Sequence, residues 1–267
     1  MRLQTRGGRV AFRVGAEMMH LFLQRASPIY ARWLARRFLD GVYVRNLDAV
    51  AALVREESVI LAGNHVCWWD GQLLLVVQRA LGVQGRFLVN QTSIDRLSFI
   101  GGIGGIGVDR STISATLASL ERAAAWVTAE RRALWIFPQG RYRPQSVRPL
   151  GLQRGVRVLA RLSDVPVVPV ALSYNYLDQH LPAVVISFGE PIRGQDKLVE
   201  RLEAALQQEL DAQQAWFDDP ERPPLPALVP SAVVPFEEGF GARFYLFWSR
   251  LFRSARQAFG GLGRSTP

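Results

Sequence analysis

The chain contains a single cysteine, Cys67, so no intramolecular disulfide can hold it together. With only three histidines beside it, the chain is too poor in ligands for an ordinary structural zinc site, and no metal is expected. Lysine is nearly absent, with Lys197 alone, so the formal net charge of +9 is carried by arginine. No run of 18 uncharged apolar residues occurs, which argues against a spanning helix. The first apolar stretch is broken by Glu17 and His20, and no small-residue cleavage site follows it, so it does not read as a signal peptide. No zinc-finger or RNA-recognition signature accompanies the positive charge, and nucleic acid is not expected as a partner. An anionic membrane face or a phosphate-bearing substrate is.

The chain has 267 residues, enough for one large domain with a substantial core. Its mean hydropathy is slightly positive, +0.06, which suggests contact with lipid. Residues 10–39 read as helical. Ser27 followed by Pro28 suits an N-cap and first-turn proline, after which Tyr30, Trp33, Leu34 and Phe38 recur at helical spacing among Arg32, Arg36 and Arg37. That helix either packs on the domain or touches the membrane.

From residue 41 strands and helices alternate. Strands are expected at 41–47, 58–63, 86–90, 106–109, 133–138, 165–172 and 183–188. Helices are expected at 71–81, 111–131, around 152–162 and from Leu198. The first is apolar on most sides, so it is buried or faces lipid. In the second, Ile113, Leu117, Leu120, Ala124 and Val127 share one face. The alternation predicts an α/β fold, with a central, largely parallel sheet flanked by helices. Residues 218–235 hold six of the fifteen prolines and read as a linker. Beyond it, Phe240, Phe244, Phe247, Trp248 and Leu251 oppose Arg243, Arg250 and Arg253 on a helical wheel. A basic face opposite an aromatic one suits a helix lying among lipid headgroups, or one docked on the core. The expected organisation is thus an N-terminal helical, membrane-proximal segment (1–40), a domain (41–217), a Pro-rich linker (218–236) and a basic amphipathic C-terminal helix (237–267).

Four stretches carry chemistry. In the first, Ala62 to Gly71, His65 and Asp70 are five residues apart, which on one helix leaves them about 140° out of phase. They meet if His65 ends a strand and Asp70 caps the next helix. The carboxylate then fixes the tautomer and leaves the other ring nitrogen basic. The second stretch, residues 101–110, fits G-x-G-x-x-G at Gly102, Gly104 and Gly107. No strand leads in and no helix follows directly, so a dinucleotide site is rejected in favour of Arg110 as an anion contact. In the third, Phe137-Pro138-Gln139-Gly140 closes a buried strand ahead of Arg141 and Arg143, in the kind of loop that binds ligands in open α/β sheets. In the fourth, Pro166 and Pro169 interrupt an apolar strand, suggesting an edge, a bulge or a groove wall.

Taken in order, these stretches resemble the glycerolipid acyltransferases, with Asn64-His65…Asp70, Gly107-Val108-Asp109-Arg110, Phe137-Pro138-Gln139-Gly140 and Val165-Pro166-Val167-Val168-Pro169 carrying the likeness over roughly residues 41–200. The resemblance implies that His65, held by Asp70, deprotonates a hydroxyl that attacks an acyl thioester directly, with no G-x-S-x-G nucleophile present to form an acyl-enzyme. It implies acyl-CoA or acyl carrier protein as co-substrate, no cofactor, and a lysophospholipid such as 1-acylglycerol-3-phosphate as acceptor. Substrate contacts are expected from Asn64, Gly107, Asp109, Arg110, Phe137, Pro138, Gln139, Gly140, Arg141 and Arg143, and oxyanion donors from backbone N–H groups near His65. The implied location is the cytoplasmic face of the cell membrane, peripheral or monotopic. Two departures stand out: the family's glutamate is Gln139 here, and Tyr142 replaces an arginine. They leave open a glycosylated lipid or carotenoid acceptor, or a non-catalytic membrane-binding relative.

Overall fold

The computed structural model describes residues 6–177 and 179–232; the expected C-terminal helix, with Phe240 to Arg253, lies outside the described residues. A single eight-stranded sheet forms the centre. The strands are β1 (Val42–Arg45), β2 (Val59–Gly63), β3 (Gln84–Asn90), β4 (Gly105–Val108), β5 (Arg132–Ile136), β6 (Val167–Tyr176), β7 (Pro182–Phe188) and β8 (Ala227–Val229). Their order is β4-β3-β5-β2-β6-β7-β1-β8. The run from β4 to β6 is parallel throughout, β7 turns antiparallel to β6, β1 is parallel to β7, and β8 closes the edge antiparallel to β1. The fold is α/β, as the alternation predicts.

Helices α1 (Arg6–Phe38), α2 (Leu47–Glu56) and α3 (Trp69–Leu81) lie on one face of the sheet, and α6 (Ile113–Thr128), α7 (Gly155–Ser163) and α8 (Leu198–Asp218) on the other. The short α4 (Gln91–Arg96) and α5 (Phe99–Gly102) link β3 to β4. Strand β2 shows why the central strands read as unbroken apolar runs. Val59 and Leu61 enter the α1–α3 core, Ile60 and Ala62 the α6–α8 core, and all four are fully buried. Helix α3 is buried rather than lipid-facing: α1 covers it on the side away from the sheet.

Three expectations need correction. No helix begins at Ser27–Pro28; α1 runs through with Pro28 inside it. The lost bond and ring clash cost about 3 kcal/mol. Burial of Ala31, Leu34, Ala35 and Leu39 offsets this, at roughly 1.5–3 kcal/mol for each large aliphatic side chain. Of the edge, bulge or groove wall suggested by Pro166 and Pro169, the edge is excluded, since β6 is central; the pairing on the far side of Pro169, Val167 with Ile192, is shifted by one residue from the β6–β7 register, as a bulge would shift it. The Pro169 carbonyl accepts from Gly189 N (2.9 Å), so the proline nitrogen, on the same side of the strand, faces the chain just after β7 has ended. The pair therefore keeps one of its two ladder bonds, and the bond the proline forgoes falls where β7 has ended. Finally, the Pro-rich stretch is not all linker. Ala227–Val229 forms β8, with Pro226 and Pro230 tolerated because this is the sheet edge. Arg32 of α1 ties it down through the Leu228 carbonyl (2.6 Å). The first turn of α6 also runs past the sheet, leaving Ile113 91% exposed while Leu120, Ala124 and Val127 are buried as expected.

Candidate active site

Strands β2, β3, β4 and β5 run parallel side by side, and their carboxyl ends deliver His65, Asn90, Arg110 and Phe137 to one groove of about 470 Å³. Leu88, Val89, Leu120, Ile136 and Val156 make its wall apolar; Arg110 and Arg141 are its charged lining residues, and no carboxylate lines it.

His65 follows directly on β2 and Asn64. Its Nδ1 lies 2.7 Å from Asp70 Oδ2. Asp70, the expected cap of α3, sits in its first turn, because the helix starts two residues earlier than expected, at Trp69. From there the carboxylate reaches back into the turn. Oδ2 also accepts the N–H groups of Val66 (2.6 Å) and Cys67 (3.0 Å), and Oδ1 accepts the Tyr174 hydroxyl (2.5 Å). Asp70 is fully buried, while the His65 side chain keeps 20% of its surface accessible. Every contact of the carboxylate is with a donor, so Nδ1 carries the proton and Nε2 is left with its lone pair. The imidazole lies between two rings, stacked on Phe137 at 4.2 Å and tilted against Tyr142 at 4.4 Å.

Burial first, and then the Asp70 charge, push the Tyr174 hydroxyl well above its ordinary range, so it stays a donor. The same two causes, in the same order, raise the Cys67 thiol, which keeps it protonated and a poor nucleophile. Tyr142 is raised too, by burial and then by Asp70.

Of the residues expected to contact substrate, Arg110, Phe137, Pro138, Gly140 and Arg141 line the groove with His65. The others do not. Asn64 is buried, and its amide pairs with the Leu172 backbone in both directions (Nδ2 to O 2.9 Å, N to Oδ1 2.7 Å), clasping β2 to β6. Gly107 is in β4, where an added Cβ would lie 2.0 Å from Gln91 Oε1, so it makes room for α4. Asp109 shapes the turn into α6: its carboxylate accepts Ser111 N (2.9 Å), and the Ser111 hydroxyl first, then that N–H, hold its pKa below the usual range. Arg143 gives its backbone N–H to the His65 carbonyl (2.8 Å), but its guanidinium packs against Gly151. Each of these points inward or sideways because strand parity and turn geometry, not residue type, set side-chain direction.

Gln139 is the most informative correction. Expected at the substrate, it is buried and braces the site from behind. Its Oε1 accepts the His65 N–H (2.6 Å) and its Nε2 donates to the Leu150 carbonyl (3.0 Å). Nor are the backbone N–H groups beside His65 free for an oxyanion, since Gln139 and Asp70 already accept those of residues 65, 66 and 67. The brace needs an amide. In Gln139→Glu one oxygen keeps the His65 N–H but the second would face the Leu150 carbonyl, leaving a buried charge half unanswered, and unfolding stability should fall by roughly 3 kcal/mol at neutral pH. Burial would raise the folded-state pKa of that glutamate above its unfolded value. The penalty should therefore shrink as pH falls through the folded pKa, where the protonated carboxyl can donate to Leu150. Urea titrations at several pH values check both points; a pH-independent loss would discard the brace.

Sequence reasoning missed Tyr174, which reaches Asp70 from a strand more than a hundred residues away, and Gln153, which accepts from Arg110 (3.0 Å). No local spacing marks either. Tyr142 was visible only as a departure from the family pattern.

A His–Asp dyad thus stands at the carboxyl ends of parallel strands and opens on an apolar groove with a basic rim. The sequence model of the family described as Acyltransferase matches residues 41–173. An uncharacterized acyltransferase of Schizosaccharomyces pombe is 26% identical over 178 residues, a match that spans 62% of this chain and 62% of that protein. The chain belongs to the glycerolipid acyltransferase family.

Proposed function

We propose that this chain is a membrane-associated O-acyltransferase that moves a fatty acyl group from acyl-CoA or acyl carrier protein to the hydroxyl of a lipid acceptor, specifically a lysophospholipid such as 1-acylglycerol-3-phosphate. The observation that carries the reading is the His65–Asp70–Tyr174 chain, with the imidazole accessible in the groove and the carboxylate fully buried behind it. His65 Nε2 takes the proton of the acceptor hydroxyl as its oxygen attacks the thioester carbonyl. Asp70 stabilises the imidazolium that forms. The tetrahedral intermediate then collapses, the C–S bond breaks, and the imidazolium returns its proton to the departing thiolate. Tyr142 and Arg141, at the rim and without hydrogen-bond partners among the described residues, supply donors toward the developing oxyanion. Arg110 and Arg141 favour a phosphate-bearing acceptor, and the apolar wall favours a hydrocarbon chain.

Membrane association is supported by α1, whose outward surface exposes Phe22, Ile29, Tyr30, Trp33 and Phe38 among Arg25, Arg36 and Arg37. No helix among the described residues is long and apolar enough to cross a membrane, so the proposed attachment is peripheral or monotopic, at the cytoplasmic face of the cell membrane.

The test is transfer of a labelled acyl chain, from acyl-CoA and from acyl carrier protein, to acceptors presented in sedimentable vesicles. We expect product with 1-acylglycerol-3-phosphate and co-sedimentation of the protein. Product only with a glycosylated lipid or carotenoid would replace the acceptor. Binding without product on any acceptor would replace the enzyme with a membrane-binding relative.

A further inference from the structure

A second cleft, of about 330 Å³, lies between α1, the last turns of α3 and the start of β3. It is well removed from the dyad, since Gln78 follows Asp70 by eight residues on α3, about 12 Å along the axis. Its lining is rich in donors: Arg25, Arg79, Gln78, Gln24, Gln84 and Ser27, with no carboxylate among them.

Two of these groups are unexplained by the fold. Gln78 is more than nine-tenths buried, and its Nε2 has no hydrogen-bond partner; Ser27 Oγ is buried and equally unpartnered. Native interiors rarely leave such groups unsatisfied, because their desolvation is costly. The Gln78 amide fits where it does only because residue 85 is glycine: an added Cβ would come within 2.5 Å of it. At the rim, the exposed Arg25 and Arg79 make no ion pair among the described residues. Two guanidinium groups without an ion pair among the described residues share this cleft with two buried, unanswered polar groups, which calls for an acceptor-rich anion. Arg79, in the last turn of α3, also offsets the negative partial charge of that helix end.

We infer that this cleft binds a phosphate oxyanion, carried by a phospholipid headgroup or by a soluble phosphate ester, at a site separate from the acyl-transfer groove. The guanidinium groups of Arg25 and Arg79 take the outer oxygens, and Gln78 Nε2 and Ser27 Oγ, both closed to solvent, turn to donate to the inner ones as the anion enters. Both arginines are surface residues, so Arg25→Ala/Arg79→Ala leaves the core untouched. Arg157→Ala/Arg161→Ala, on the exposed face of α7, removes the same charge elsewhere.

Hydrogen–deuterium exchange on the full chain tests the site, with inorganic phosphate in one arm and phosphatidylcholine vesicles with or without phosphatidate in the other. We expect protection over residues 78–85. It should weaken at least tenfold in apparent affinity in Arg25→Ala/Arg79→Ala, and persist in Arg157→Ala/Arg161→Ala and in His65→Ala. Protection by phosphatidate vesicles alone identifies a headgroup site, and protection by inorganic phosphate identifies a site open to soluble esters. No protection with either probe, or equal weakening in both double variants, would overturn the inference. Because His65→Ala keeps this site intact, its fate is independent of whether acyl transfer is the right reading of the groove.

Discussion

His65→Ala should lower kcat for acyl transfer by about a thousandfold and leave KM for both substrates nearly unchanged, since general-base catalysis by a positioned side chain contributes on the order of 10²–10⁴. The expectation rests on position. The imidazole is the one group in the groove backed by a buried carboxylate, and it is held there by rings on both sides. Its removal is tolerable structurally. Asp70 keeps the Val66 and Cys67 N–H groups and the Tyr174 hydroxyl as donors, so the buried charge is not stranded. The stability loss should stay near 1–2 kcal/mol, the size of one lost charge-assisted hydrogen bond. Steady-state kinetics and a urea titration on the same preparation separate the two effects. Wild-type turnover in the variant would remove His65 from the chemistry. A collapse in stability would make the kinetic loss uninformative, and His65→Gln, which keeps a polar group against Phe137, would then carry the test.

Much of this site is legible from local pattern. A short apolar run such as Val59–Ala62, β-branched at its start and closed by Gly63, reads as a strand buried on both faces, and a histidine placed just past its end then emerges at a carboxyl edge where parallel strands gather ligands. The five-residue spacing to Asp70 is likewise sufficient to suggest the dyad. What stays illegible depends on chain brought from far away. Tyr174 arrives from β6, and nothing near it in sequence announces the contact. Asn64, Gln139 and Arg143 stand beside the dyad in sequence or in space and have the chemistry of substrate contacts. Leu172, Leu150 and Gly151 occupy them instead, and those neighbours are fixed by sheet order and loop path. The same holds for structural punctuation. Pro28 and Pro169 disfavour helix interior and central strand when read locally, yet tertiary burial carries α1 through one, and the end of β7 removes the objection to the other. The short β8 exists only because β1 offers it an open edge.

The network behind the imidazole also predicts that Asp70→Asn is worse for turnover than for stability. Asparagine has nearly the same shape. With its carbonyl oxygen in the place of Oδ2 it still accepts the N–H groups of Val66 and Cys67 and the proton on His65 Nδ1. Its NH₂ then falls where Oδ1 was, and the Tyr174 hydroxyl must rotate from donor to acceptor, which a neutral phenol can do. The opposite orientation would aim NH₂ at two backbone N–H groups and is excluded by that repulsion. The loss of stability should therefore be modest, about 1–3 kcal/mol for exchanging charge-assisted bonds for neutral ones. Catalysis loses more, because no negative charge remains to stabilise the imidazolium as the hydroxyl proton arrives. The expected fall in kcat is about 10²- to 10³-fold, with KM little changed, and it should be nearly as large as for His65→Ala. Adding the two substitutions together should cost scarcely more than either alone, since both remove one working unit. A double variant in which the losses multiply would show that Asp70 holds the turn around residues 65–67 for structural reasons and acts on the reaction by some path other than the ring.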